Sequence, residues 1–138
     1  RFTTGVERVL VLLDGDGVRL DFGDGTSATL AQPWALHRFA GEQEVTGVLL
    51  GGPTRDFNLM WRRDAVDAQL ELLPISGASS LAVAPKEEAV LHLLEGRAQL
   101  GGVTLSPGDC AVLEAAPTSG TYALEGTGTA LWIRVTPR

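Results

Sequence analysis

Residues 90–117 read VLHLLEGRAQLGGVTLSPGDCAVLEAAP, a series of short apolar runs separated by Glu-Gly, Gly-Gly and Pro-Gly-Asp turns. Runs of that length between turn-forming residues are typical of β-strands. The same punctuation continues along the chain, which contains 17 glycines and 7 prolines. We therefore predict an all-β fold, a sandwich or barrel of short antiparallel strands with few or no helices.

An earlier segment repeats this pattern. Leu12-Leu13-Asp14-Gly15 matches Leu93-Leu94-Glu95-Gly96 at an offset of 81 residues (93 − 12). Each copy continues with a short alternating strand, a glycine turn, a second short strand and a proline. The repetition predicts a single domain over residues 1–138 made of two similar halves, residues 1–64 and 65–138.

The segment 62–73, RRDAVDAQLELL, is the one window that fits a helix. Val66, Leu70 and Leu73 follow a helical spacing, while the alternation of Ala68, Leu70 and Leu72 with polar residues fits a strand about equally well. We favour a strand because the surrounding pattern is all β.

Composition excludes several classes of partner. The net charge is −6 and Lys86 is the single lysine, so we expect no direct contact with nucleic acid. No apolar run is long enough for a membrane span, and no signal pattern is found, so no membrane contact is expected. The single cysteine, Cys110, excludes an internal disulfide and suits a cytoplasmic protein; its place in an alternating strand predicts a buried thiol.

The segment 90–117 is similar to the cupin pattern, in which one strand ends in a Glu-Gly turn and a later strand follows Pro-Gly-Asp. The looser first copy makes the chain resemble a bicupin with two jelly-roll halves. More specifically, FTTGVER (2–8), the LLDG turn and GPTRDFNLMWRR (52–63) resemble the HutD/Ves family, small bicupins linked to bacterial histidine utilisation. Members generally carry a further N-terminal segment with a WKNGGG-type motif, which we expect this chain to lack.

Many cupins hold a metal with several histidines, but this chain has only His37 and His92. We therefore expect no metal and no other cofactor. His92 lies in a predicted strand between Leu91 and Leu93, where it is either a hydrogen-bonded core histidine or a polar group lining a cavity. His37 follows a Pro/Trp-containing loop and is predicted to lie on the surface.

The segment DFNLMWRR (56–63) separates into two faces if it forms a strand. Phe57, Leu59 and Trp61 then share an apolar face, and Asp56, Asn58, Met60 and Arg62 share a polar one. A buried Arg62 would need a partner, which is either Asp56 within the protein or the carboxylate of a ligand.

Arg8, at the end of FTTGVER, is from the residues alone a surface charge paired with Glu7. The family resemblance implies instead that Arg8 belongs to the pocket and contacts a ligand carboxylate. It thus implies a metal-free protein that binds a small acidic metabolite, such as N-formylglutamate or urocanate, and senses or regulates histidine utilisation. The residues expected to bind that ligand are Arg8, Asp56, Asn58, Met60, Arg62 and His92.

Two alternatives stay open. One is a metal-free isomerase or epimerase in which His92 with Glu95 or Asp56 forms an acid/base pair. The other is an interaction module with an exposed apolar patch around Trp34 or Trp132. An edge strand exposed by the lack of an N-terminal segment would favour a homodimer.

Overall fold

The computed structural model describes residues 5–138, which form eleven β-strands and no α-helix. Among these residues there is accordingly no helix that is long and apolar enough to span a membrane. The all-β prediction is confirmed, as is the strand over residues 66–73. The strands are β1 (Val6–Asp14), β2 (Val18–Phe22), β3 (Ser27–Leu30), β4 (Leu36–Ala40), β5 (Val45–Leu49), β6 (Arg55–Arg62), β7 (Val66–Val83), β8 (Glu88–Leu100), β9 (Val103–Leu105), β10 (Cys110–Leu113) and β11 (Gly120–Pro137).

The chain divides into two compact units, Arg1–Ala65 and Val66–Arg138. The first unit contains two three-stranded antiparallel sheets, with strand orders β4-β1-β6 and β3-β2-β5. Apolar residues from both sheets meet in one core. Its buried members are Leu12, Val18, Leu20, Phe22, Leu30 and Phe39.

The second unit contains one five-stranded antiparallel sheet of order β10-β8-β11-β7, with β9 paired to β8. Its core is larger and includes the fully buried Ala89, Leu91 and Leu93 of β8. Trp132 of β11 belongs to this core and is only 5% exposed. The prediction of an exposed apolar patch at Trp132 is therefore wrong, because its side chain points toward the core side of β11.

The sequence repeat marks the same backbone irregularity in both units. One extra residue, Leu13, interrupts the register of β1 against β6, and Leu94 interrupts that of β8 against β11. Leu13 and Leu94 are 81 residues apart. Each bulge is followed after one residue by a glycine with positive φ, +108° at Gly15 and +86° at Gly96. The LLDG and LLEG segments thus share one structural feature, a β-bulge, which bends the strand locally.

This equivalence extends to the strand order. In the first unit β1 lies between β4 and β6, and in the second unit β8 lies between β10 and β11. Residues of β1 and β8 that are 81 positions apart therefore occupy matching places in two similar sheets. The two units can be compared residue by residue on that basis.

Candidate functional site

The sheet β4-β1-β6 brings five of the six predicted ligand-binding residues onto one face. Residues paired across antiparallel strands point to the same side of the sheet. The relevant pairs are Val6 with Arg62, Arg8 with Met60, Leu10 with Asn58 and Leu12 with Asp56. Arg8 of β1 therefore shares a face with Asp56, Asn58, Met60 and Arg62 of β6.

That face is the one directed at the core of the first unit. Leu12 and Phe39, which lie on it, are core residues, and Leu10 packs against them. The guanidinium carbon of Arg8 lies 5.0 Å from the centre of the Phe39 ring, close enough for a cation–π contact. Arg8 is half-buried, so its charge lies beside the core residue Phe39.

The same face is open along β6. Asp56, Asn58, Met60 and Arg62 are all exposed, and Met60 retains 43% of its accessible surface. The reason is positional, because β6 is an outer strand of its sheet while β1 is the central one. An exposed methionine beside an amide and a half-buried arginine gives a surface with both apolar and hydrogen-bonding character.

His37 also belongs to this face, contrary to the surface position predicted for it. It pairs with Leu10 across β1 and β4, is half-buried, and its ring centre lies 5.5 Å from that of Phe22 and 6.0 Å from that of Phe39. The sequence did contain a signal for this position. In the strand LHRFA (36–40), His37 and Phe39 are two residues apart and therefore point to the same face. Their shared face becomes identifiable as the inner one only when the pairing of β4 with β1 is known.

Arg62 and Asp56 do not pair with each other. They lie six residues apart on one strand, which separates them by about 20 Å. Arg62 instead approaches Asp64 at 3.5 Å, with both side chains more than 70% exposed. The hydroxyl of Thr54 donates a hydrogen bond to Asp56 at 3.3 Å. The internal pairing that we considered for Arg62 is therefore wrong, and its ion pair is a weak surface one.

Glu7 pairs with two other arginines and not with Arg8. Its carboxylate lies 2.7 Å from Arg38 and 2.9 Å from Arg63, and Arg63 also contacts Glu42 at 2.8 Å. Glu7 and Arg8 are consecutive residues of a strand, so their side chains point to opposite faces. The surface pairing of Arg8 with Glu7 is thus wrong, and the ion-pair network lies on the face of the sheet opposite Arg8, which also carries the buried Val9 and Val11.

Trp61, which is buried, and Arg38 lie on that opposite face. The guanidinium of Arg38 lies 4.9 Å from the centre of the Trp61 ring, while Phe57 and Leu59 beside Trp61 are half-buried. Hydrogen bonds from Arg63 and from the backbone of Gly5 lower the pKa of the nearby Glu42 carboxyl. This side of the sheet therefore has its charges paired within the chain.

The second unit has an apolar core where the first has its polar face. The 81-residue offset places Ala89 at the position of Arg8 and Leu91 at that of Leu10. Through the register of each sheet, Trp132 stands where the first unit has Asn58, Ala130 where it has Asp56, and Ala111 where it has His37. Ala89, Ala130 and Trp132 are core residues, and Ala111 packs against them. At these positions the first unit is polar and partly open, whereas on this face of the second unit the half-buried arginine is Arg134, which matches Met60 and hydrogen-bonds Gln69.

His92, the sixth predicted residue, lies in the second unit on the face of β8 opposite its core. It alternates with the core residues Leu91 and Leu93, and its ring Nδ1 lies 2.7 Å from the sulfur of Cys110. The offset matches it to Val11, which lies on the face of β1 opposite Arg8 and is fully buried. His92 is therefore not part of the face that carries the other five residues.

Cys110 is exposed, which corrects the prediction of a buried thiol. It lies with Val112 on the outer side of β10, while Ala111 and Leu113 face the core. Partial burial of the thiol and the charge of Asp109 raise the pKa of Cys110. A raised pKa makes the nucleophilic thiolate scarce at neutral pH.

Two further features concern ligand binding. Among residues 5–138, no three His, Cys, Asp or Glu side chains are grouped so that they could hold a metal ion. A surface concavity of about 390 Å³ lies on the second unit, lined mainly by Arg97, Gln99, Glu125 and Thr127. These four side chains are exposed. The concavity has none of the half-buried charge and aromatic contacts of the Arg8 face. We therefore regard the Arg8 face as the better candidate.

Comparison with known proteins identifies the family. The HutD family model matches residues 2–132. An uncharacterised 21.2 kDa protein in the hutC 3′ region of Pseudomonas putida is 39% identical over 67 residues, which are 49% of this chain and 35% of that protein. Protein Ves of Cronobacter sakazakii is 36% identical over 105 residues, which are 74% of this chain and 54% of that protein.

This chain thus spans about a third to a half of the length of these relatives. A structure of HutD from Pseudomonas fluorescens SBW25 superposes with a TM-score of 0.86 at 23% identity, covering 99% of this chain and 71% of that one. At that identity the likeness shows the fold alone, an all-β bicupin, as the sequence predicted. With a family model that matches nearly its whole length, this chain belongs to the HutD family.

Proposed function

We propose that this protein binds a small acidic metabolite on the inner face of the sheet β4-β1-β6, with Arg8 as the contact for its carboxylate. The observation that carries the proposal is the difference between the two units. Matching positions form an apolar core in one unit and a half-open polar face in the other. Arg8 stands where the second unit has the core residue Ala89, and burying an arginine costs free energy because its charge loses water. We propose ligand binding as the function of that charge.

The surroundings of Arg8 suit a carboxylate. A guanidinium presents parallel N–H donors that match the two oxygens of a carboxylate. The contact with Phe39 holds the guanidinium beside the core, where water screens its charge less than at an exposed position. Exposed Asn58 and Met60 then offer a hydrogen-bonding group and an apolar surface for the rest of the ligand. Asp56 and Arg62 would lie at the two ends of the site along β6.

The proposed ligands are carboxylates of histidine breakdown, with N-formylglutamate and urocanate as the first candidates, and the proposed role is to sense or regulate histidine utilisation. This part rests on family membership. It is supported by the relative in the hutC 3′ region. Binding is proposed to need no metal, because the whole chain has two histidines and they lie in different units.

Arg8→Met and Arg38→Met form a matched pair that tests the site. Both arginines lie on the same sheet and both stack on an aromatic ring, at 5.0 and 4.9 Å, but on opposite faces. Titration calorimetry with both metabolites should give saturable binding to the wild type and to Arg8→Met an affinity weaker by about 10- to 150-fold, the equivalent of a charged hydrogen bond. Arg38→Met should bind like the wild type.

The proposal fails if neither acid binds, or if the two variants bind alike. Proton NMR of each mixture over several hours separates binding from catalysis. Unchanged ligand supports a binding protein, and a new product would establish the isomerase alternative instead.

A further inference from the structure

The row of side chains next to Arg8 on the inner face carries two hydrogen-bonding groups. Leu10 pairs with His37 on one side and with Asn58 on the other. Neighbouring strands are about 4.8 Å apart, so the backbones of His37 and Asn58 are separated by about 10 Å. Arg8 is two residues along β1 from Leu10, about 7 Å away. The three polar groups therefore surround a patch of the size of one small metabolite.

Aromatic contacts link the arginine to the histidine. The Phe39 ring lies under the Arg8 guanidinium at 5.0 Å, and the His37 ring stacks on Phe39 at 6.0 Å with an interplanar angle of 19°. Phe22 contacts both rings, at 5.5 Å from His37 and 5.3 Å from Phe39. These contacts fix the plane of the imidazole at a set distance from the guanidinium. In the second unit the matching position is Ala111, so a histidine is not needed to complete this fold.

We infer that His37, with Asn58, is the specificity-determining pair of the site, and that it recognises a flat, neutral hydrogen-bonding group on an acid whose carboxylate is held by Arg8. This inference rests on the proposed function. A neutral imidazole and an amide each offer both a donor and an acceptor, which suits an amide or a nitrogen heterocycle. The ligand class is thus a short acid ending in an amide or an N-heterocycle.

Three acids of different shape test this inference by titration calorimetry. Propionate has the carboxylate alone, glutarate has two carboxylates, and urocanate joins one carboxylate to an imidazole ring through a two-carbon link. The wild type should bind urocanate at least tenfold more tightly than propionate or glutarate, since a site built to hydrogen-bond discriminates against ligands that lack the partner group.

His37→Phe preserves the ring packing on Phe22 and Phe39 while removing the hydrogen-bonding nitrogens. It should lower the preference for urocanate over propionate about tenfold and leave the affinity for propionate unchanged. Asn58→Leu should reduce the preference in the same direction, and His37→Gln should restore part of it. A purely structural role for His37 would alter the urea midpoint and all three affinities together.

The outcomes separate the two proposals. If propionate binds in an Arg8-dependent way but His37→Phe leaves the urocanate preference intact, or if glutarate binds as tightly as urocanate, the assignment of His37 is overturned while the carboxylate site stands. If none of the three acids binds, the assignment of His37 is overturned, and the carboxylate site falls with it if N-formylglutamate also fails to bind.

Discussion

Truncating Leu91 and Leu10 to alanine measures the difference between the two units on which the proposed site depends. The two leucines occupy matching positions of β8 and β1, 81 residues apart. Leu91 is fully buried in the core of the second unit, whereas Leu10 is half-buried at the margin of the first unit's core. A truncation at a fully buried leucine costs the transfer free energy of the lost methyl groups and the free energy of the cavity that remains.

The expected costs follow from this burial. Leu91→Ala should lower the free energy of unfolding by about 4 kcal/mol, in the upper part of the range for buried leucines. Leu10→Ala should cost about 1 to 2 kcal/mol, because the space it leaves opens toward the exposed side chains of β6 and can be filled by water. Val103→Ala, at a side chain that is 59% exposed, should change the free energy by less than about 0.5 kcal/mol.

Urea unfolding followed by tryptophan fluorescence and far-ultraviolet circular dichroism provides the measurement. Trp61 reports on the first unit and Trp132 on the second, and both are at most 8% exposed in the folded protein. The midpoints give the free-energy differences if the slope with urea is the same in all variants. Equal costs for Leu10→Ala and Leu91→Ala would refute the half-open first unit and, with it, the structural basis of the proposed site.

Two further predictions concern the bulge glycine and the ion pair between Arg63 and Glu42. Gly96→Ala should destabilise the protein by more than Gly25→Ala, by at least about 1 kcal/mol: both glycines have positive φ, +86° and +91°, but only at Gly96 would the added carbon collide with the backbone of Thr127. Urea midpoints of the two variants test this, and equal midpoints would contradict it. Because Arg63 lowers the pKa of Glu42 below its ordinary value of 4.5, the stabilisation from this carboxylate is present above pH 4.5 and is lost as the pH falls through the lowered value. Glu42→Gln should therefore be less stable than the wild type at pH 7 and should approach it in acid, when urea midpoints are compared at pH 7 and pH 3.

The strands and their two faces follow from local patterns and could be predicted. A period of two separates Phe57, Leu59 and Trp61 from Asp56, Asn58 and Met60, and this separation holds in β6 without knowledge of any partner strand. The structure of the LLDG and LLEG segments is likewise specified by their local sequence. A bulge followed by a positive-φ glycine requires only those residues and a paired strand.

That both faces of this sheet carry buried residues could not be predicted locally. The apolar face of β6 does bury Trp61, which is 8% exposed, yet Arg8 and Asn58 lie on the opposite face with the core residues Phe39 and Leu12. That arrangement depends on the registers of β4, β1 and β6, which join residues up to 56 positions apart in the chain (62 − 6). His37 was missed for the same reason, and Cys110 was misplaced because alternation gives two faces without saying which one the core occupies.

The duplication explains how a small protein can keep a polar group at a core position. A single apolar core must bury enough surface to offset the loss of chain entropy, and each polar substitution within it reduces that margin. In the second unit the positions matching Arg8, His37 and Asn58 are Ala89, Ala111 and Trp132, all of which contribute to an apolar cluster that includes three fully buried residues of β8. The first unit has a smaller buried cluster and carries the polar groups instead. Substitutions that make the first unit resemble the second, such as Arg8→Ala together with His37→Ala, should therefore remove carboxylate binding, whereas the reverse substitutions in the second unit should unfold it.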